Sequence, residues 1–124
     1  MKISAFVLLP ILALAPAAAQ ATDVSGLWQV STSIAQTPVV MDCSILQIGV
    51  DLSGWCEPES PGASPIALTG KLDRTQATWG YDQTVQGQPV HLAYQGALTS
   101  DSMGMTGGLT YGGGAAAGLT AVRK

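Results

Sequence analysis

From residue 26 onward the chain alternates apolar and polar positions in short runs, with turn residues about every ten to twelve positions. Side chains of a strand point to opposite faces in turn, so this period of two reads as half-buried β-strands. The first run is Gly26 to Ile34. Trp28, Val30 and Ile34 share one face with Thr32, and Leu27, Gln29, Ser31 and Ser33 share the other. The first set is the inward one. Ala35-Gln36-Thr37-Pro38 reads as a turn, followed by strands over 39–48 and 51–57. Pro58 to Pro65 is the longest irregular stretch and reads as a loop. Beyond it the alternation is cleaner. Ile66, Leu68, Gly70 and Leu72 share a face, then Ala77, Trp79 and Tyr81, then Val90, Leu92, Tyr94, Gly96 and Leu98. Met103, Met105, Gly107, Leu109 and Tyr111 follow, and a last strand runs over 115–124 with Leu119, Ala121 and Arg123 on one face. The intervening turns are 73–75, 86–89, 99–102 and 112–114. No run has a helical period, and 15 Gly with 7 Pro oppose long helices.

The fold class this predicts is all-β: an eight-stranded antiparallel up-and-down β-barrel. Eight strands with one apolar face each hide that face by closing, and closure also removes exposed sheet edges.

The two cysteines test the register of the second and third strands. If Cys43 faces Cys56, Ile48 faces Asp51 and Gly49-Val50 becomes a two-residue hairpin loop. Gly at the first loop position is what a type II′ turn requires. Counting from the turn puts the cysteines at a non-hydrogen-bonded pair, where Cα atoms approach to about 4.5 Å, within disulfide range. The orientation of this hairpin stays open. One face carries Cys43, Ile45, Leu52 and Cys56, and the other carries Leu46, Ile48 and Trp55. An inward disulfide leaves Leu46, Ile48 and Trp55 as an exposed interaction patch. The rarity of such patches favours the reverse, with those three in the core.

Composition adds the compartment. Met1-Lys2, an apolar run from Ile3 to Ala15 broken by Pro10, and small residues around Ala17-Ala18-Ala19 and Ala19-Gln20-Ala21 form a secretory signal peptide over 1–21. The run is short of the about 20 apolar residues of a membrane span. The domain is then 22–124, periplasmic or secreted, where Cys43 and Cys56 pair as a disulfide; two free buried thiols are the alternative. Without residues 1–21 the chain has four basic and eight acidic residues, a net charge of −4. With no basic cluster, it lacks the footprint of a nucleic-acid binder and is disfavoured on anionic membranes.

Chemistry-bearing residues are sparse. His91 is the one histidine, on the outward face, and no spacing joins Asp51, Glu57 and Glu59 into a catalytic pair. There is no phosphate loop and no serine elbow. The reading is therefore non-catalytic, with no metal and no cofactor. The candidate binding residues are the inward Trp79, Tyr81, Tyr94, Met105 and Tyr111, with Met103 beside them. Buried hydroxyls need partners, and an amphipathic ligand supplies them while Met adapts to its shape. The alternative is that these side chains simply fill the barrel.

Gly26-Leu27-Trp28 on the first strand, an eight-strand meander and Arg123 on the last strand together resemble the calycin group, which includes lipocalins, fatty-acid-binding proteins and avidins. The resemblance implies that Trp28 packs at the closed end of the barrel with Arg123 lying across it. Leu52-Ser53-Gly54-Trp55 is similar to the third strand of avidins, but the biotin site has no residue-by-residue counterpart here. The chain is also similar to small periplasmic inhibitors of secreted metalloproteases. Those share its size, a Gly-x-Trp near the start, an eight-strand barrel and one disulfide, and they insert an N-terminal tail into the protease.

These readings combine into an exported barrel that binds a small, largely apolar ligand. The alternative is a protein-interaction module, such as a protease inhibitor, acting through its loops or through Leu46, Ile48 and Trp55. The two differ physically. A ligand carrier needs an open apolar interior, whereas an interaction module is filled inside and carries apolar surface outside.

Overall fold

The computed structural model describes residues 23–60, 62–85 and 87–124; the expected signal peptide, residues 1–21, lies outside them. The described chain is all-β. Its strands are β1 (Gly26–Ile34), β2 (Thr37–Ile48), β3 (Asp51–Pro58), β4 (Ile66–Asp73), β5 (Gln76–Val85), β6 (Gln88–Leu98), β7 (Gly104–Tyr111) and β8 (Ala115–Arg123). Each pairs antiparallel with the next, and β8 pairs with β1, closing an up-and-down barrel.

The β2–β3 hairpin has the register the cysteines imply. Ile48 faces Asp51, Cys43 faces Cys56, and the two cysteines form a disulfide with their Cα atoms 4.0 Å apart. Gly49 supplies the positive φ, 65°, at the first loop position.

The hairpin's orientation overturns the expectation. Cys43, Ile45, Leu52 and Cys56 are buried, while Leu46, Ile48 and Trp55 face outward. The cause is β1. Trp28 is fully buried and pairs with Cys43, so the inward face of β1 continues into the cysteine face of β2. Smaller differences concern boundaries. The β1–β2 turn is only Ala35-Gln36, with Thr37 and Pro38 already paired to Ile34 and Ser33. Met103 precedes β7, in the β6–β7 turn, and is exposed.

Inward positions are mostly apolar, with Thr32, Gln47, Gln83 and Arg123 half-buried among them, and among the described residues no polar or charged residue is fully buried. Outward positions are rich in Thr, Ser, Gln and charge, the reverse of a membrane barrel with a polar lumen. Among the described residues no helix is long and apolar enough to cross a membrane.

Space inside is shared between large and absent side chains. Gly70 lies opposite Trp79, and a Cβ there would come within 2.0 Å of the Thr78 carbonyl and 2.8 Å of the Trp79 Cβ. Gly96 makes room for Met105, whose Cβ is 3.1 Å from where the Gly96 Cβ would sit. Such large–small alternation is how a narrow barrel is packed.

Candidate functional site

Two regions collect the residues that could bind something: the aromatic interior and the outer face of the β2–β3 hairpin. The interior group starts from strand parity. Trp79 and Tyr81 project inward from β5, and their neighbours across the β5–β6 pair are Tyr94 and Leu92. Trp79 and Tyr94 stack with parallel rings 5.4 Å apart. The Tyr81 ring tilts against Tyr94 at the same separation, and their hydroxyls are 2.5 Å apart. Tyr81 donates onward to the Met41 sulfur at 3.5 Å, so Tyr94 is the donor between the two tyrosines. Burial drives both phenols above their ordinary pKa of 10.0, and for Tyr94 the nearby Tyr81 adds to the shift. Met105 is fully buried near Gly96. Trp79 Nε1 is buried with no hydrogen-bond partner.

Tyr111 stands apart. It is half-buried beside Leu92, and its hydroxyl accepts the Ala35 N–H at 2.6 Å, which ties β7 to the β1–β2 turn. The interior thus joins Trp79, Tyr81 and Tyr94, and leaves Tyr111 in a turn-bracing role. Met103 is not part of the group.

The Arg123 guanidinium lies 4.4 Å from the centroid of the Trp28 ring. It also donates to the carbonyls of Ser25 (2.7 Å), Asp23 (3.0 Å) and Ser102 (3.2 Å). Trp28 Nε1 donates to the Val24 carbonyl, and Val24 N–H donates to Gln47. Val24 itself is fully buried. Residues 23–25 are therefore part of the barrel's plug. A tail that enters a protease, as in the metalloprotease inhibitors, cannot include them while these bonds hold.

The outer face is different in kind. Leu46, Ile48 and Trp55 are 53%, 68% and 57% exposed. Leu27 and Val50 are also exposed. Leu27 pairs with Ser44, and Ser44 with Trp55, so Leu27, Leu46 and Trp55 surround a floor of Ser44 and Ser53. A shallow depression here is lined by Ser44, Leu46, Ser53, Gly54, Trp55, Ala67 and Leu68. Gly54 lets β3 press close to β2: its φ is 152°, and a Cβ would lie 1.8 Å from the Ser44 carbonyl. Charges frame the patch. Asp42 pairs with Glu57 in register and bonds Lys124 at 3.2 Å. Glu59 accepts from Gln29, and Asp51 bonds Lys71 at the hairpin end.

The opposite outer wall, from β4 to β8, carries another trough, lined by small and polar residues such as Thr78, Gly80, His91, Gln95 and Gly108. His91 bonds Asp82 at 2.9 Å, in the open. Among the described residues, no three His, Cys, Asp or Glu side chains are grouped to hold a metal ion. Sequence reasoning had named the outer patch only conditionally, and the parity of β1 was the signal that decides it.

Comparisons of the chain with protein-family models, with curated proteins and with solved structures give no match.

Proposed function

We propose that this chain is an exported, non-catalytic protein-interaction module of calycin-like build, which binds its partner on the outer face of β2 and β3. The observation that carries the reading is the inversion at the hairpin. Leu46, Ile48 and Trp55 face solvent on a barrel whose inside is already occupied by Trp28, Trp79, Tyr81, Tyr94 and Met105. An eight-strand barrel is only wide enough for side chains or one small ligand, and here aromatic rings take that space. Exposed contiguous apolar surface is characteristic of interaction sites, and Trp is the residue most often central to them. The Cys43–Cys56 disulfide and the signal-like sequence at 1–21 support a periplasmic or secreted location. Arg123 over Trp28 supports the calycin-like build.

Site-specific photo-crosslinking in the producing cell tests this. A crosslinker at Ser53 should yield a protein adduct that one at Thr78, on the opposite wall, does not. Equal adducts at both positions, or none at Ser53, would count against the assignment.

One observation favours a second reading, a small ligand inside the barrel. Trp79 Nε1 is buried and unpartnered, and a ligand acceptor would satisfy it. Native mass spectrometry separates the two. A bare mass supports the interaction module. A small-molecule adduct that disappears in Trp79→Phe supports the carrier.

A further inference from the structure

We infer that the partner of the β2–β3 outer face presents an apolar centre within a basic rim, and that it is a different protein rather than a second copy of this chain. The inference rests on the interaction reading above and adds the chemistry of the partner.

Three observations carry it. First, the barrel is closed. On this face β2 lies between β1 and β3, and β3 between β2 and β4, so a partner here does not extend the sheet by backbone pairing and must dock on side chains. Second, the charges framing the patch do not balance. Asp42, Asp51, Glu57 and Glu59 stand around it, and the cations there are Lys71 and Lys124, each already bonded to an aspartate. Among the described residues Glu57 takes part in no salt bridge, and the Glu59 carboxylate is met by the neutral Gln29 amide rather than by a cation. The rim is therefore left with two uncompensated carboxylates at the Trp55 end. Third, Ser44, Ser53 and Ala67 keep the floor low between Leu46 and Trp55, so the surface accepts a projecting apolar group.

A basic rim on the partner would neutralise Glu57 and Glu59 as the apolar centre is buried. Like charges set against each other at an interface are unfavourable, so the same rim opposes partners that carry acid. That disfavours an anionic lipid surface and a nucleic acid. A second copy is disfavoured too, since each copy carries a net charge of −4 without residues 1–21 and the same acidic rim.

The experiment uses two synthetic amphipathic peptides with identical Leu and Trp positions, one carrying Lys and the other Glu at its charged positions. Each is titrated into the isotope-labelled protein and followed by amide chemical shifts. The Lys peptide should shift resonances of β2 and β3, and the Glu peptide should bind at least about tenfold more weakly. Added salt should narrow that gap, and Glu57→Lys with Glu59→Lys should reverse the order. Equal affinity of the two peptides on this face would overturn the charge inference while leaving the docking face standing. Shifts confined to another face, no shifts with either peptide at millimolar concentration, or unchanged affinity in Leu46→Ser/Trp55→Ser would overturn the docking face itself. Sedimentation equilibrium showing a dimer that Trp55→Ser dissociates would overturn the exclusion of a second copy.

Discussion

Arg123 performs several tasks from one side chain. It covers the Trp28 ring, and its three nitrogens hold the carbonyls of Ser25, Asp23 and Ser102, which joins the chain's first described residues to its last strand. Removing it forfeits a cation–π contact and leaves carbonyls short of donors. Arg123→Ala should lower unfolding free energy by about 2–3 kcal/mol in a urea titration. Arg123→Lys should recover less than half, because an ammonium is a compact charge without the planar fork that spans those carbonyls. The β1–β2 turn offers the opposite experiment. Ala35 and Gln36 have φ of 52° and 68°, the left-handed pair of a type I′ turn, without the Asn-Gly that normally fills it. Gln36→Gly should therefore raise stability by about 1 kcal/mol, read as a higher melting temperature. This is also why the turn was hard to find. Ala-Gln carries no turn signal, whereas Thr37-Pro38 does, and the sequence pattern placed the turn two residues too long.

At the level of elements, the β2–β3 hairpin shows both what the sequence reveals and where it stops. Gly49 and the Cys43–Cys56 separation each point to the same register, and that register is present. Its orientation is not written in the hairpin, because both faces are half apolar. It is written one strand earlier. Any turn of even length between β1 and β2 pairs Trp28 with an odd-numbered residue, so an inward Trp28 carries Cys43 and Ile45 inward with it. The rule that apolar patches are rare gave the wrong answer because it is a tendency, while strand parity is geometry. The disulfide closes a separation of 13 residues. In the chain-entropy account such a loop contributes about 3 kcal/mol through the unfolded state. Reductant should thus lower the melting temperature clearly, and Cys43→Ala/Cys56→Ala should be insensitive to it. An unchanged curve for the natural chain under full reduction would mean that the link adds nothing beyond the ladder.

At the scale of the whole molecule, the alternation of apolar and polar residues was enough to predict a closed eight-strand barrel, because no other arrangement hides eight one-sided strands and leaves no edge. What occupies the barrel was less legible. Parity places Trp79, Tyr81 and Tyr94 inside, but whether they meet one another or line a space depends on how closely the strands pack, which glycines such as Gly70 and Gly96 decide through contacts far apart in sequence. Having met, the tyrosines make a prediction about the entire fold. Tyr81 and Tyr94 hold their protons in an apolar interior, and burial raises both pKa values above 10.0. In the unfolded chain the same phenols ionise near pH 10, so above that pH the unfolded state binds fewer protons than the native one. Stability conferred by the two groups is complete below pH 10 and declines as pH rises beyond it. Unfolding free energy should therefore fall with pH above 10, and tyrosinate absorbance from these two residues should appear together with unfolding, not before it. Tyr81→Phe/Tyr94→Phe should flatten that slope. If the double variant keeps the slope of the natural chain, the alkaline loss of stability arises elsewhere, and the hydroxyl pair is not the group that couples the barrel to pH.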